Sequence, residues 1–175
     1  MGVPDIGQIG SVIKDPMLSN LFTLEVPNIP TGTSDEQYVM LQCQQVAKPG
    51  WTINNVEVQL FGHTLEYAGN KTFGHDMSAT YIDNSEGVIL RIFERWGEIC
   101  RASKTQLGSY KNDYARDSKL TIFDTTGKAV LIYTVYGLWP SQLPDVSLDG
   151  SNSSVINHAI GYKYDWYEKT GGSSS

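Results

Sequence analysis

One segment narrows the possible folds more than any other: DNSEGVILRIFERWGEICRASK, residues 83–104. Val88, Ile89, Ile92, Phe93, Trp96, Ile99 and Cys100 recur at helical spacing and make one broad apolar stripe. Arg91, Glu94, Arg95, Glu98 and Arg101 fill the opposite side. The spacing predicts an amphipathic helix over about residues 85–102, with Asp83 or Ser85 as its cap and Glu86 three residues after Asp83. Burying the Trp, Phe and Ile side chains contributes about 2 kcal/mol each, so the stripe needs an apolar surface to lie on. Gly97 costs about 1 kcal/mol relative to Ala in a helix and predicts a close contact there.

The rest of the chain supplies that surface as strands. Phe22, Leu24 and Val26 alternate with Thr23 and Glu25 until Pro27 and Pro30 intervene. YVMLQCQQVA reads as a strand, with Val39, Leu41 and Cys43 on one face and Met40, Gln42 and Gln44 on the other. NNVEVQLF alternates through Val56, Val58 and Leu60, and LFGHTLEYAGNKT offers Gly62 and Gly69 as turn residues of a hairpin. FGHDMSATYID follows with Phe73, Met77 and Tyr81 in phase. SKLTIFDTTGKAVLIYTVYGLW makes two strands about a Thr-Thr-Gly turn, and Ala129 to Tyr136 is apolar on both faces, as in a central strand. That strand ends at Trp139-Pro140, because Pro140 and Pro144 cannot donate to a ladder.

A final strand turns Ile156, Ile160, Tyr162, Tyr164 and Trp166 inward and Asn157, Lys163 and Asp165 outward. The expected fold is mainly β: an antiparallel two-sheet sandwich or barrel of about eight strands with one amphipathic helix against it. The 175 residues form a single domain, with residues 1–19 as an N-terminal arm and residues 169–175 as a flexible Gly-Ser tail.

Composition excludes several function classes. With 19 acidic against 13 basic side chains and a net charge of −6, the chain lacks the clustered Lys and Arg of a phosphate-gripping protein. Cys43 and Cys100 are too few for a disulfide framework; no secretory signal is read, so reduced, buried thiols are expected. No apolar run reaches the ~18 residues of a membrane span. His63, His75 and His158 share no metal-ligand spacing, and His75-Asp76 has no nucleophile in a recognisable setting beside it.

DVSLDGSNSSVI places Asp145, Ser147, Asp149, Ser151 and Ser153 like the ligands of a calcium loop around Gly150. Ile156 stands where the bidentate Glu belongs, so an ordinary connection between strands is the better reading. No catalytic residue, cofactor or metal is expected. Trp51, beside Pro49-Gly50, is the aromatic outside the strand phase, and it reads as an anchor for another surface. Strand count and aromatics alone leave room for a monomeric small-ligand-binding β-barrel.

From about Asn20 to Glu168 the order of features resembles the tail tube proteins of contractile-tailed bacteriophages. NLFTLEV, then CQQVAKPG leading into a hairpin that closes on YAGNKTF, ATYIDNSEGVILRIFERW, the Gly-Leu-Trp-Pro corner and YKYDWY carry the likeness. The resemblance implies hexameric rings stacked into a hollow tube through which viral DNA passes, with the virion tail as location and the host cytoplasm as place of assembly. It implies sheath, baseplate tube-initiator, tape measure and tail terminator proteins as partners. It casts residues 48–72 as a hairpin reaching an adjacent ring, with Trp51, Phe61 and Tyr67 as its anchors. Gln42 and Gln44, or Asn157 and Asp165, are its candidates for the lumen. A baseplate tube-initiator and the tube proteins of contractile injection systems, including type VI secretion, share the fold and stand as alternatives.

Overall fold

The structure, a computed structural model, describes residues 17–149, 151 and 154–172. Among the described residues, nine strands and three helices follow in chain order: β1 (Phe22–Glu25), α1 (Asp35–Leu41), β2 (Cys43–Val46), β3 (Trp51–Leu60), β4 (His63–Phe73), β5 (Asp76–Ile82), α2 (Val88–Cys100), α3 (Lys111–Tyr114), β6 (Arg116–Phe123), β7 (Ala129–Gln142), β8 (Asn157–Lys163) and β9 (Trp166–Gly171). Most of the N-terminal arm, residues 1–16, and the last three residues lie outside the described residues.

Seven of the strands make two antiparallel sheets that share one member, and β3 and β4 form a separate two-stranded sheet. β7 is 14 residues long. Its first part pairs with β6 on one side and β9 on the other, and β6 pairs onward with β1. Its last part, from Trp139, pairs instead with β8, which pairs with β5, and β5 with β2. The change of sheet falls at Gly137, whose φ is +68°. A Cβ there would collide with the Asp165 carboxylate, and the Asp165 amide donates to the Tyr136 carbonyl at 2.9 Å. Asp165 lies between β8 and β9, so both crossings from sheet to sheet are stitched at one corner. β7 runs on through Pro140 because a bulge between Pro140 and Gln142 loosens the ladder there. The strand was expected to stop at this proline.

The same corner explains a second difference. The closing segment is two strands, and the break at Tyr164-Asp165 shifts its phase by one. His158, Ile160, Tyr162 and Tyr164 point inward as alternation predicts, but after the break it is Tyr167 that is buried. Trp166 is exposed and stacks on Tyr136 with ring centroids 4.1 Å apart, and Ile156, before β8, is exposed too. Lys169 to Gly171, expected to begin a flexible tail, complete β9 against Tyr133 and Ile132.

The helix over residues 88–100 buries Val88, Ile89, Ile92, Phe93 and Trp96 of the predicted stripe and leaves Ile99 and Cys100 half-buried. Phe93 meets Tyr81 and Tyr162 at 5.2 and 6.0 Å between ring centroids, and the Trp96 indole N–H donates to the Tyr114 carbonyl at 2.8 Å. The Tyr81 and Tyr162 hydroxyls hydrogen-bond at 2.7 Å within the core. Gly97, expected at a close contact, faces open space.

The segment Tyr38 to Leu41, expected to be extended, belongs instead to α1, and only from Cys43 is the chain a strand. A run this short does not distinguish the two periods. Asp35 and Glu36 in its first turn favour the helix by complementing the helix dipole, Val39 seals it to the core, and Leu41 is left outside. The turn after β6 is as predicted. Asp124 accepts from the amides of Thr126 and Lys128, and Gly127 has φ +82°.

Candidate assembly surfaces

The helix α2 is fixed at its start by a buried carboxylate. Asp83 accepts from the amides of Ile89 and Leu90 at 3.1 and 3.2 Å, and Asn84 Oδ1 accepts from Val88 at 3.3 Å. Three of the otherwise orphaned first-turn donors are thereby satisfied. His158 Nε2 lies 3.0 Å from Asp83 Oδ2. Burial pushes the Asp83 carboxyl up, but the amides of Ile89, Leu90 and Asn84, together with His158, outweigh it and hold it below the usual carboxylate range. The N-cap position itself is Gly87, with φ +63°, and not Asp83 or Ser85: Asp83 reaches the first-turn amides from four residues before the cap, and the Glu86 amide donates to Asn84 Oδ1.

The chemical groups singled out in the sequence do not converge. His75 Nδ1 is 3.0 Å from the Tyr164 carbonyl, while Asp76 pairs with Lys163 across the ladder. His63 lies in β4 and His158 in the core. Asp149 folds onto Ser151, accepting from its amide and hydroxyl, which is an Asx turn. Gly150 and Ser153 of the calcium-like stretch lie outside the described residues. Among the described residues no three metal-binding side chains cluster, and no helix is long and apolar enough to cross a membrane. Cys43 and Cys100 are free thiols, each pushed up to about 11 by burial.

What the body does present is edges and one unpartnered element. Among the described residues, the outer edges of β1 and β2 pair with no strand, nor does the far side of β7 beyond Leu138. The hairpin β3–β4 turns at Phe61-Gly62, as predicted for Gly62, and its strands pack essentially on each other. Phe61 at the tip is fully exposed, and Trp51 and Tyr67 are about half exposed at 52% and 56%. Gly69 is inside β4 instead of a turn. It occupies a bulge where an added Cβ would press on the Asn54 carbonyl, so only Gly fits.

That bulge has a consequence for polarity. By register, Trp51, Ile53 and Phe73 share one face at the base of the hairpin, where Lys71 Nζ lies 4.8 Å above the Trp51 ring. Beyond the bulge the apolar residues are on the other face: Val56, Val58, Leu60, Leu65 and Tyr67. Opposite them lie Asn55, Gln59 and Thr64, with Glu57 and Glu66 directly across from one another. The three expected anchors therefore stand on the base face (Trp51), the tip (Phe61) and the distal face (Tyr67). Alternation of Val56, Val58 and Leu60 is visible in the sequence, but only the structure shows that no layer covers it.

The four lumen candidates also separate. Asn157 lies on the outer face of the β2–β5–β8 sheet, level with Thr80 and Ala159 in the row that alternates with buried His158 and Ile160. Gln44 is exposed at a bulge in β2, and its neighbour Gln45 is the residue in register with Thr80. Gln42 closes α1 and its amide oxygen is buried. Asp165 belongs to the corner, where the Lys111 ammonium binds both its oxygens at 2.5 and 2.6 Å. Nothing in the spacing of Lys111 and Asp165 announces that pair.

Residues 14–170 match the family model described as phage tail tube protein. The chain belongs to that family. Its fold is also that of chains in solved contractile assemblies. A chain of the sheath–tube complex of an extracellular contractile injection system, PVC, in the extended state superposes with a TM-score of 0.63 at 12% identity, covering 96% of this chain and 99% of that one. A chain of the PVC sheath/tube terminator gives 0.64 at 10% identity, covering 91% and 99%. One from the baseplate of the anti-feeding prophage gives 0.61 at 16% identity, covering 90% and 97%. No curated protein matches by sequence. As a tail tube protein the chain is a structural tail component, and membership in that family points to a non-catalytic role.

Proposed function

We propose that the chain is the repeating subunit of a tail tube: six copies close side by side into a ring, and rings stack into a conduit for DNA. The observation that carries this reading is the β3–β4 hairpin, which exposes apolar side chains on both faces and, apart from Phe73 at its base against Tyr167, is left uncovered by its own subunit. An exposed apolar surface of this size is the mark of an interaction site. The unpaired edges of β2 and of the end of β7 belong to one sheet, and each can extend the other in the next copy, so closure of a ring removes both edges.

The outer face of that sheet is assigned to the lumen. It carries Asn157, Thr80 and Gln45, and its charged pair Asp76–Lys163 neutralises itself. A wall without free Lys or Arg lets phosphates pass without gripping them. In this reading the partners are other copies of the chain, a tail sheath, the tube-initiating baseplate protein, a tape measure and a terminator. The chain works in the virion tail and assembles in the host cytoplasm without a catalytic step.

A terminator-type and a baseplate chain superpose as well as a sheath–tube chain does, so position in the particle is a matter of copy number. Size-exclusion chromatography and negative-stain imaging of purified protein test the reading. Rings or tubes are expected, and Trp51→Ala is expected to leave the subunit folded while weakening stacking. A protein that stays monomeric at every concentration would overturn it. The small-ligand barrel predicts an internal cavity, whereas aromatic rings fill this core.

A further inference from the structure

The β3–β4 hairpin joins the body through two short legs, residues 47–50 before it and Gly74 with His75 after it. The body end of each leg is pinned. The Ala47 amide donates to the Ser78 carbonyl at 2.8 Å. His75 Nδ1 donates to the Tyr164 carbonyl at 3.0 Å, and the Tyr164 amide donates to the His75 carbonyl at 3.2 Å. The hairpin end is set as well, because Trp51 and Phe73 already stand in register. Within the first leg Pro49 is buried and its ring fixes φ. What is left is Gly50 on one leg and Gly74 on the other, each next to the Trp51–Phe73 pair and therefore level with one another.

Neither glycine is explained by the conformation it holds. Neither has a positive φ, and a Cβ added to either would meet no atom within 4 Å. At Gly69 and Gly137, by contrast, a Cβ collides. Alanine would fit at 50 and 74 in this conformation, so what glycine adds there is access to other backbone angles. β3 and β4 pair only with each other, so turning about these two residues breaks no ladder.

One side-chain contact crosses the joint. Phe73 meets the Tyr167 ring edge-on with centroids 5.3 Å apart, and among the described residues it is the hairpin side chain that packs on the core. Lys71 Nζ lies 5.4 Å from the centre of the Phe73 ring, and Lys48 Nζ 5.4 Å from that of Tyr167. A single edge-to-face pair favours one position by about tenfold at most, which burial of a larger apolar surface exceeds.

We propose that Gly50 and Gly74 form a two-legged hinge about which the hairpin swings as a unit, and that Phe73 against Tyr167 latches it in the dissociated subunit. The purpose of the swing rests on the tube reading; the hinge itself does not. On assembly the hairpin gives up the latch and takes the inclination of the surface that covers it.

Spin-label distances in the dissociated protein test this, with labels at Gln59→Cys near the hairpin tip and Glu94→Cys on the exposed side of α2. Each single variant controls for the native thiols. Gly50→Ala with Gly74→Ala is expected to narrow the distance distribution without lowering the unfolding midpoint, since both methyl groups enter open space. Phe73→Ala is expected to add a second distance. A distribution that the alanine pair does not narrow, or a single unshifted distance in Phe73→Ala, would overturn the hinge.

Should Phe73→Ala not fold, the label pair in the otherwise unaltered chain decides. Its mean distance is expected to shift between the dissociated subunit and tubes diluted with unlabelled protein, and an identical distance in both would refute the swing. If the protein forms neither rings nor tubes, the tube reading fails, while the widths in the dissociated subunit still support or refute the hinge.

Discussion

The body and the hairpin are built from the same kind of sequence and end in opposite situations. β5 alternates Met77, Ala79 and Tyr81 with polar residues, and all three are buried. β3 alternates Val56, Val58 and Leu60 just as regularly, and all three are exposed. Periodicity therefore selects the strand and its apolar side, but whether that side is buried depends on a second layer. In the body the second layer is the other sheet and α2. For the hairpin the body supplies no such layer along most of its length, and in the proposed tube another copy of the chain supplies it.

The sharpest way to break this contrast is to remove the body's second layer. Trp96→Ala empties the space between α2 and the sheets, and a loss of about 3–5 kcal/mol is expected in urea unfolding of the dissociated protein. A loss below about 1 kcal/mol would mean that the helix is not what seals the core. Next comes the corner. Gly137→Ala combines a left-handed backbone with a collision against Asp165, and about 2 kcal/mol of destabilisation is expected. Adding Asp165→Ala should recover the part due to the collision, so a double-mutant cycle with no coupling would remove Asp165 from the account.

A smaller effect is expected at the helix start. Asp83→Ala should cost about 1 kcal/mol. Because the folded-state pKa of Asp83 lies below the usual value, its contribution is full above the ordinary carboxylate range. It is lost as pH falls through that range to the depressed value. A plot of stability against pH should therefore be flatter for the variant on the acid side; parallel curves would show that the cap is not coupled to protonation. The smallest effect on the subunit belongs to the hairpin. Leu60→Ser with Leu65→Ser should change unfolding stability by less than about 0.5 kcal/mol, yet tubes should be absent from micrographs. Unaltered tubes would erase the distinction between the two regions.

The sequence made much of this legible. Helix α2, its buried face, the Asp124–Lys128 turn and the hairpin turn at Gly62 all follow from local periodicity and turn chemistry. The misreadings share a cause, which is that each depends on distant partners. Tyr38 to Leu41 has too few residues to choose between periods, and packing on β1 and α2 decides for helix. The phase slip between Tyr164 and Tyr167 arises from a corner whose other half is Gly137, 28 positions earlier in the chain. Lys169 to Gly171 resembles a tail because its order comes from β7 and not from its own side chains.

The shared strand β7 also bears on how the subunit responds to load. Two stacked sheets joined only by side chains can shear past one another, one layer creeping while the other holds. Here a single unbroken backbone is woven through both layers and pinned where it crosses, so a pull on either is delivered covalently to its companion. Such a wall element yields all at once or not at all, and the dissociated subunit should melt in one sharp calorimetric step.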